Sequence, residues 1–480
     1  MSLKLYNSLS GKLEEFVPFK KSRVGIYVCG PTVYDWTHVG HARTYVDFDI
    51  IMRWLKYRGF SVTYIQNITD VGHMREDTGE DKIGKKSAEE KVHPMMLVEK
   101  YMREYFQDMD RLDVMRPDIS PRATGHICEI IEAVKKLIEK GYAYEVNGNV
   151  FFDVSKFKSY GKLSKINLEE MAAGSRFEVH PDKRNPKDFA LWKKAKEGDP
   201  FRWQSPWGEG FPGWHIECSV MSTKYLGDQV DIHGGARDLK FPHHENEIAQ
   251  AEAITGKKPF VKYWLHTEFL TINGEKMAKS LGNYVTVKQA LEKYDAETLR
   301  FFFASTHYRS QIDYSDKNLE QARRSLESLE NSVALLRKLK PAKEKSKHEG
   351  ELERDLKKAK EEFEKAMDDD FNTPGALAAL FEFSKKLNVF ASQNDSINAE
   401  LKEKILKTFE ELGGVLGLKL SEEKKAGGEA LEKVIELLIK AREELRKKGD
   451  WKASDEIRAR LKESGVVLND EKGGTSWKFE

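Results

Sequence analysis

Two short segments carry residue types suited to handling phosphate. HVGH, at residues 38–41, sets His38 and His41 around Val39 and Gly40, and KMAKS, at 276–280, places Lys276 and Lys279 three residues apart ahead of Ser280. Imidazole N–H groups at the start of a helix can donate to phosphate oxygens beside the positive end of the helix dipole. Gly40 leaves room for a flat base against the backbone. Two flexible ammonium groups between Gly274 and Gly282 can follow negative charge as it moves onto departing pyrophosphate. Each segment has a plain alternative: capping or exposed histidines for the first, a charged surface loop for the second. Their co-occurrence, each beside an element that suits it, points to ATP chemistry, with His38, His41, Lys276 and Lys279 as the catalytic candidates.

Such residues need elements to hold them. The apolar run Val24 to Val28 ends in Cys29, Gly30 and Pro31; HVGH follows, then a helical pattern from about Thr44 to Tyr57, a stop at Gly59 and a second strand over Ser61 to Ile65. Strand, loop, helix, strand is the order of a parallel βαβ unit, whose ligands bind beyond the carboxyl ends of the strands. The charged, glycine-containing stretch 75–92 predicts a loop, and a helix runs from Pro94 to about Leu112. Residues 121–205 form an inserted module, with a helix presenting Ile127, Ile131, Val134 and Ile138 on one face and a strand at NVFFDV. Cys128 on that helix is expected to be a small, partly buried side chain. The segment DQVDIHGG supplies a further strand and returns the chain to the first sheet. Capped helices start near Thr286 and at Asp295.

From Leu319 the apolar residues Leu319, Ala322, Leu326, Leu329, Val333 and Leu336 recur at alternating steps of three and four, marking a bundle seam. PAKEKSKHEGE, from Pro341, is a linker; a second helix reaches about Met367, and a third has Thr373 as N-cap and Pro374 at its first position. Three helices make a small bundle. After the polar linker SEEKKAGGEA come two helices and a hairpin, VVL and TSWKF around NDEKGG. The fold class is therefore α/β: a Rossmann-type parallel-sheet domain at 1–120 and 206–255 with the insertion at 121–205, a stem with KMAKS at 256–318, a helical bundle at 319–419 and a small α+β module at 420–480.

With 480 residues the chain is too long for one core, and its 80 basic against 79 acidic residues exclude a global field that attracts nucleic acid. RNA contacts must come from local patches. The cysteines, Cys29, Cys128 and Cys218, are too few and too odd in number for a secreted disulfide framework, and a reducing cytoplasm suits them. No run approaches the ~18 apolar residues of a membrane span, and no apolar leader opens the chain.

VCGPTVYDWTHVGHAR and EKMAKSLGN resemble the two signature sequences of class I aminoacyl-tRNA synthetases. With GWHIECS, DIHGG, FPHHENEIAQ, DAETLR, KASDEIRARLKESGVVLND and GTSW, nearly the whole chain is similar to the cysteinyl-tRNA synthetase family. The resemblance implies a two-step ligase: cysteine is activated by ATP, with Mg²⁺, to cysteinyl-adenylate, then passed to the terminal ribose of tRNA(Cys) by a cytoplasmic monomer. It implies ATP contacts at Gly30, Pro31, Thr32, His38, Gly40, His41, Lys276, Lys279 and Ser280. Three departures stand out: Ala278 where serine is common, NITDVGHM in place of a more acidic continuation, and Val39 for isoleucine.

From residue chemistry alone, Cys29, Cys218 and an imidazole with a carboxylate four residues on in HHENE form a possible Zn²⁺ set, and two buried thiols beside a helix-start charge pair are the alternative. The resemblance implies one Zn²⁺ per chain on Cys29, Cys218, His243 and Glu247, with His244 the competing imidazole. It also implies Thr69, Trp214 and His233 near the amino acid. The basic KAREELRKKGDWKASDEIRARLK is by itself a solvated amphipathic stretch; the resemblance implies an anticodon-binding domain there, with tRNA contacts among Trp451, Asp455, Arg458 and Asp470. Two other readings share the activation site: a cysteine ligase acting on an amino-sugar amine, and a non-catalytic RNA-binding relative.

Overall fold

The first apolar run forms the strand Arg23–Val28, and the helix after it spans Val39–Tyr57. That helix starts five residues before the expected Thr44 because HVGH is itself its first turn: His38 is the N-cap, and its ring accepts from the backbone N–H of His41. Arg58 and then Gly59, at φ 84°, end the helix. Ser61–Gln66, Val230–Ala236 and Val261–Thr267 complete a parallel four-stranded sheet in which the first strand lies between Val230–Ala236 and Ser61–Gln66. The chain order reverses at that central strand, so its carboxyl end, at Cys29, opens on the crevice where such sheets bind ligands. Gly234 permits the packing: a Cβ there would sit 2.2 Å from the Phe48 ring of the Val39–Tyr57 helix.

The structure, a computed structural model, describes residues 2–71, 82–165, 180–278, 281–346, 348–421, 428–471 and 474–479. The chain divides into two units, 1–421 and 422–480. Part of the expected loop at 75–92 lies outside the described residues; within the remainder, Lys82–Glu90 is a helix, with Ile83 and Ser87 buried against its neighbours. The inserted module has its own antiparallel sheet, in the order Ala143–Val146, Asn149–Phe152, Phe189–Lys194 and Gly210–Pro212. Its helix Ile127–Glu139 buries Ile127, Ile130, Ala133, Val134 and Leu137, so the core stripe runs beside the expected one, with Ile131 and Ile138 half-buried at its edge. Cys128 points away from that stripe and is exposed rather than partly buried.

The hairpin of Leu270–Ile272 and Glu275–Lys276 turns through Asn273 and Gly274, both at positive φ (51° and 82°), and Ile312–Tyr314 pairs in parallel on its other side. Among the described residues four helices follow rather than three: Asp316–Lys338, Glu349–Asp368, Thr373–Gln393 and Ala399–Leu416. The fourth is capped by Asn398 and stopped by Gly417 at φ 68°. The N-cap of the third is Asn372, whose side chain accepts from Gly375 N–H, so Thr373 is its first residue and not its cap. Part of the expected linker forms the strand Lys340–Ala342, paired with Ser396–Asn398. The second unit comprises the helices Gly428–Lys447 and Trp451–Glu463 and the antiparallel pair Val466–Glu471 and Gly474–Phe479.

Candidate functional site

Four donors from three elements meet at the carboxyl end of the central strand. Cys29 ends that strand, Cys218 lies on the helix Trp214–Leu226, and His243 and Glu247, one turn apart, share a face of the helix His243–Thr255. All four side chains are buried, and their donor atoms lie within 4.8 Å of one another. Cys29 Sγ is 4.0 Å from Cys218 Sγ and 3.6 Å from Glu247 Oε1, which is 3.1 Å from His243 Nε2. The outer atoms are held too: His233 Nε2 is 2.8 Å from Glu247 Oε2, and His215 Nδ1 is 2.9 Å from His243 Nδ1. Two thiols, an imidazole and a carboxylate, the last two hydrogen-bonded on their far sides, fit a divalent ion of borderline softness. A second set, Cys29, His233, His244 and Glu247, is equally close-set.

Burial and neighbouring charge act in opposite senses on the two adjacent imidazoles. Burial pushes the Cys218 thiol up, but its hydrogen bond with Cys29 and the charge on His243 outweigh that and bring it to about 6. Burial likewise opposes charge on His243, yet Glu247 and then Cys218 raise it to about 10, while His233 and His243 hold Glu247 at about 2 against its own burial. His244 is driven the other way, well below its ordinary value, by burial and then by His233 and His266. Its Nδ1 is 2.9 Å from His266 Nε2 and its Nε2 is 3.3 Å from Cys29 Sγ. The two imidazoles thus differ in charge: His243 is held protonated beside Glu247 and Cys218, and His244 is held neutral beside His233 and His266.

The phosphate-handling candidates lie around the start of the Val39–Tyr57 helix. Gly30 N–H donates to Asn67 Oδ1 at 2.8 Å, and Thr69 N–H donates to Pro31 O at 3.1 Å; Thr32 and Thr69 form a parallel bridge. His38 Nδ1 accepts from His41 N–H at 3.1 Å, so the proton of its ring sits on Nε2. The two rings stack with centroids 3.6 Å apart. The capping reading of these histidines is therefore realised for His38. Backbone bonds from Val39 N–H to Val285 O and from Val287 N–H to Thr37 O stitch this turn to the chain just after KMAKS. Lys276 is exposed on its hairpin, and a Cβ at Gly40 would be 3.3 Å from Met277 Cε. Asn283 closes the loop, accepting from Ala278 N–H at 2.8 Å and donating to Lys276 O at 3.1 Å. Lys279 and Ser280 lie outside the described residues.

Of the three residues expected near the amino acid, Trp214 stacks on His243 at 4.3 Å and Thr69 Oγ1 donates to Glu217 Oε2 at 3.3 Å. His233 is fully buried behind Glu247, stacked on Trp264 at 4.5 Å. Sequence reasoning missed Tyr27, His215 and His266. Tyr27 is buried beside Cys218 and Cys29, and its hydroxyl is raised well above the ordinary value by burial and then by their charge. Strand alternation from Cys29 and helical spacing from Cys218 were signals for Tyr27 and His215; nothing in the local pattern marked His266.

In the second unit Asp470 receives both arms of Arg442, at 2.7 and 2.8 Å, and one of Arg446 at 3.0 Å. Arg442 is 1% exposed, so this is an internal clamp between the helix Gly428–Lys447 and the hairpin. Arg458 Nη1 lies 3.7 Å from the same carboxylate. Trp451 is 58% exposed, with the Arg446 guanidinium 5.4 Å from its ring, and Asp455 is exposed.

Residues 15–324 match the family model described as tRNA synthetases class I (C) catalytic domain, 362–421 the DALR domain, and 429–477 the cysteinyl-tRNA ligase anticodon binding domain. The fold is similar to that of Mycobacterium tuberculosis methionyl-tRNA synthetase in complex with methionyl-adenylate, at TM-score 0.59 and 16% identity over 82% of this chain and 89% of that one. Sheet, signature helix and lysine hairpin are those of a class I aminoacyl-tRNA synthetase, an ATP-dependent ligase. The chain is 49% identical to the cysteine–tRNA ligase of Thermococcus onnurineus, over 100% of its length and 99% of the relative's, and 48% identical to that of Carboxydothermus hydrogenoformans, over 99% and 100%. It belongs to the cysteine–tRNA ligase family. Among the described residues no helix is long and apolar enough to cross a membrane.

Proposed function

We propose that this chain activates cysteine with ATP and transfers it to tRNA(Cys). A cysteine carboxylate oxygen attacks the α-phosphorus, the bond to the bridging oxygen breaks, and pyrophosphate leaves. A terminal ribose hydroxyl of the tRNA then attacks the cysteinyl carbonyl carbon, and AMP departs. His38, through Nε2–H, and the neutral His41 donate to phosphate oxygens at the helix start; Gly30, Pro31, Thr32 and Gly40 shape the cradle. Lys276 and Lys279, with Ser280, follow the charge onto pyrophosphate, which Mg²⁺ accompanies.

The observation that carries the amino-acid choice is the convergence of Cys29, Cys218, His243 and Glu247, with Trp214 stacked on His243. These residues would hold one Zn²⁺, which supplies a soft centre that favours a thiolate over a hydroxyl, where ordinary contacts discriminate poorly between near-isosteres. His233 and His215 orient two of the ligands. Thr69 and Trp214 border the pocket and His233 backs it. The division into a catalytic domain at 1–120 and 206–255, an insertion at 121–205, a stem at 256–318, a bundle at 319–419 and an anticodon-binding module at 420–480 is part of the same reading, as are a monomeric state and a cytoplasmic location. In the last module Trp451, Asp455 and Arg458 offer exposed groups to an unpaired base or phosphate, with Asp470, paired to Arg442, beside them. The matches at 362–421 and 429–477 argue against an amino-sugar ligase, which would need the catalytic half alone.

Pyrophosphate exchange with cysteine and with serine, run with and without a zinc chelator and followed by tRNA charging, tests this. Cysteine-dependent exchange that the chelator abolishes is expected; its absence would sink the activation step, and exchange without charging would favour the amino-sugar acceptor. Cys218→Ser should lose both metal and cysteine-over-serine preference, and survival of both would overturn the ligand set.

A further inference from the structure

One buried arginine of the signature helix makes its hydrogen bonds to a different part of the fold. Arg43, 1% exposed, donates through Nη1 to Phe269 O at 2.7 Å and Glu268 O at 3.0 Å, and through Nη2 to Ser310 O and, at 3.5 Å, to Tyr308 O. Next to it, Thr44 Oγ1 lies 3.0 Å from Thr267 Oγ1. The carboxylate nearest the guanidinium is Asp47 of its own helix, 3.6 Å from Nε. Arg43 is thus gripped by backbone carbonyls of two segments. One leads into Leu270–Ile272, the other into Ile312–Tyr314, and these strands pair in parallel and carry Glu275–Lys276 at the edge.

We propose that Arg43 is a positioning residue for adenylate formation: by holding the root of the lysine hairpin, it fixes where Lys276 stands relative to His38 and His41. Carbonyls approaching from two directions match the planar, five-donor fork of a guanidinium, and an ammonium group cannot reach them all. Adenylation draws on donors from both elements at once, and electrostatic stabilisation of a transition state depends on their being fixed beforehand. The cysteine-selecting residues are carried by the helices Trp214–Leu226 and His243–Thr255 and by the central strand, none of which bonds to Arg43. Loss of the grip should therefore slow chemistry while leaving cysteine binding intact. This inference rests on the phosphate-handling roles proposed above.

The test is cysteine-dependent pyrophosphate exchange by Arg43→Lys and Arg43→Ala, normalised to folded protein by circular dichroism. Expected is a fall in kcat of about 10- to 100-fold, the scale of an ångström-level misplacement, with the KM for cysteine unchanged. Free guanidinium should restore part of the kcat of Arg43→Ala saturably, and methylammonium should not. A kcat per folded molecule equal to wild type, or parallel loss of kcat and cysteine affinity, overturns the assignment. Should neither variant fold, Thr44→Val, which breaks the neighbouring latch, should show a smaller loss of kcat with the same unchanged KM, and an unaltered kcat there overturns it. Wild-type protein without exchange would instead sink the underlying functional reading.

Discussion

Nε2 of His233 lies 2.8 Å from Oε2 of Glu247, with both side chains fully buried. The bond turns Oε1 toward Cys29 and His243. A partner that orients a ligating carboxylate in this way is worth about 10- to 100-fold in metal affinity. His233→Phe keeps the stacking surface against Trp264 but removes the N–H, so zinc affinity should fall by that factor, and His233→Gln should recover part of it. A competition titration against a chromophoric chelator measures both. Equal affinities in all three proteins would mean that Glu247 is oriented by something else.

Gly30→Ala should be poorly tolerated, since a Cβ there would lie 1.6 Å from the carbonyl oxygen of Asn67. Backbone rather than a flexible side chain stands in the way, so the loop carrying Pro31 and Thr32 must move. Overpacking of this kind costs about 1–3 kcal/mol or more. The denaturant midpoint should drop accordingly and exchange activity with it; a midpoint equal to wild type would show that the loop shifts freely.

His41 gives a pH signature. Burial, and then the Lys82 ammonium, hold its imidazole at about 4 instead of 6.5. It is uncharged at neutral pH. Between pH 6.5 and about 4 the unfolded chain binds a proton there that the folded chain does not, so its contribution is fully present above 6.5 and is lost as pH falls through that window. His41→Gln should therefore lose less stability than wild type on acidification across the window. Parallel acid profiles for the two would contradict an imidazole held neutral in the folded chain.

Asp470, a proposed tRNA contact, also clamps the nearly inaccessible Arg442 through both oxygens. Asp470→Ala leaves that guanidinium without its charge partner, at a cost of about 1–3 kcal/mol to the C-terminal module. Thermal melting should show the loss, tRNA charging should fall, and pyrophosphate exchange should stay at the wild-type rate. Reduced charging with unchanged melting would return Asp470 to the role of a tRNA contact.

The readable parts of the fold were those set by short-range physics. Alternation and apolar runs marked the strands Arg23–Val28 and Ser61–Gln66, and the seam from Leu319 to Leu336 is buried as its spacing required. Local capping chemistry fixed Thr286 and Asp295 as helix starts. Misjudgements came where a side chain's partner decided the outcome: the helix at HVGH begins early because the His38 ring caps it. The fourth bundle helix was missed although Asn398 and Gly417 bracket it at either end.

The sequence by itself determined the parallel α/β architecture, the two signature segments and, through resemblance, the family and its four candidate ligands. Those properties reside in residue type, order and periodicity. Tertiary structure alone decided which imidazole stands with the charged set and which is neutral beside it, because His243 and His244 are adjacent in the chain and differ only in what they face. It also decided what Arg43, His215 and His233 bond to: the Phe269 carbonyl, His243 and Glu247. Each of these partners is brought close by the sheet and its packed helices, and that proximity cannot be read from spacing along the chain.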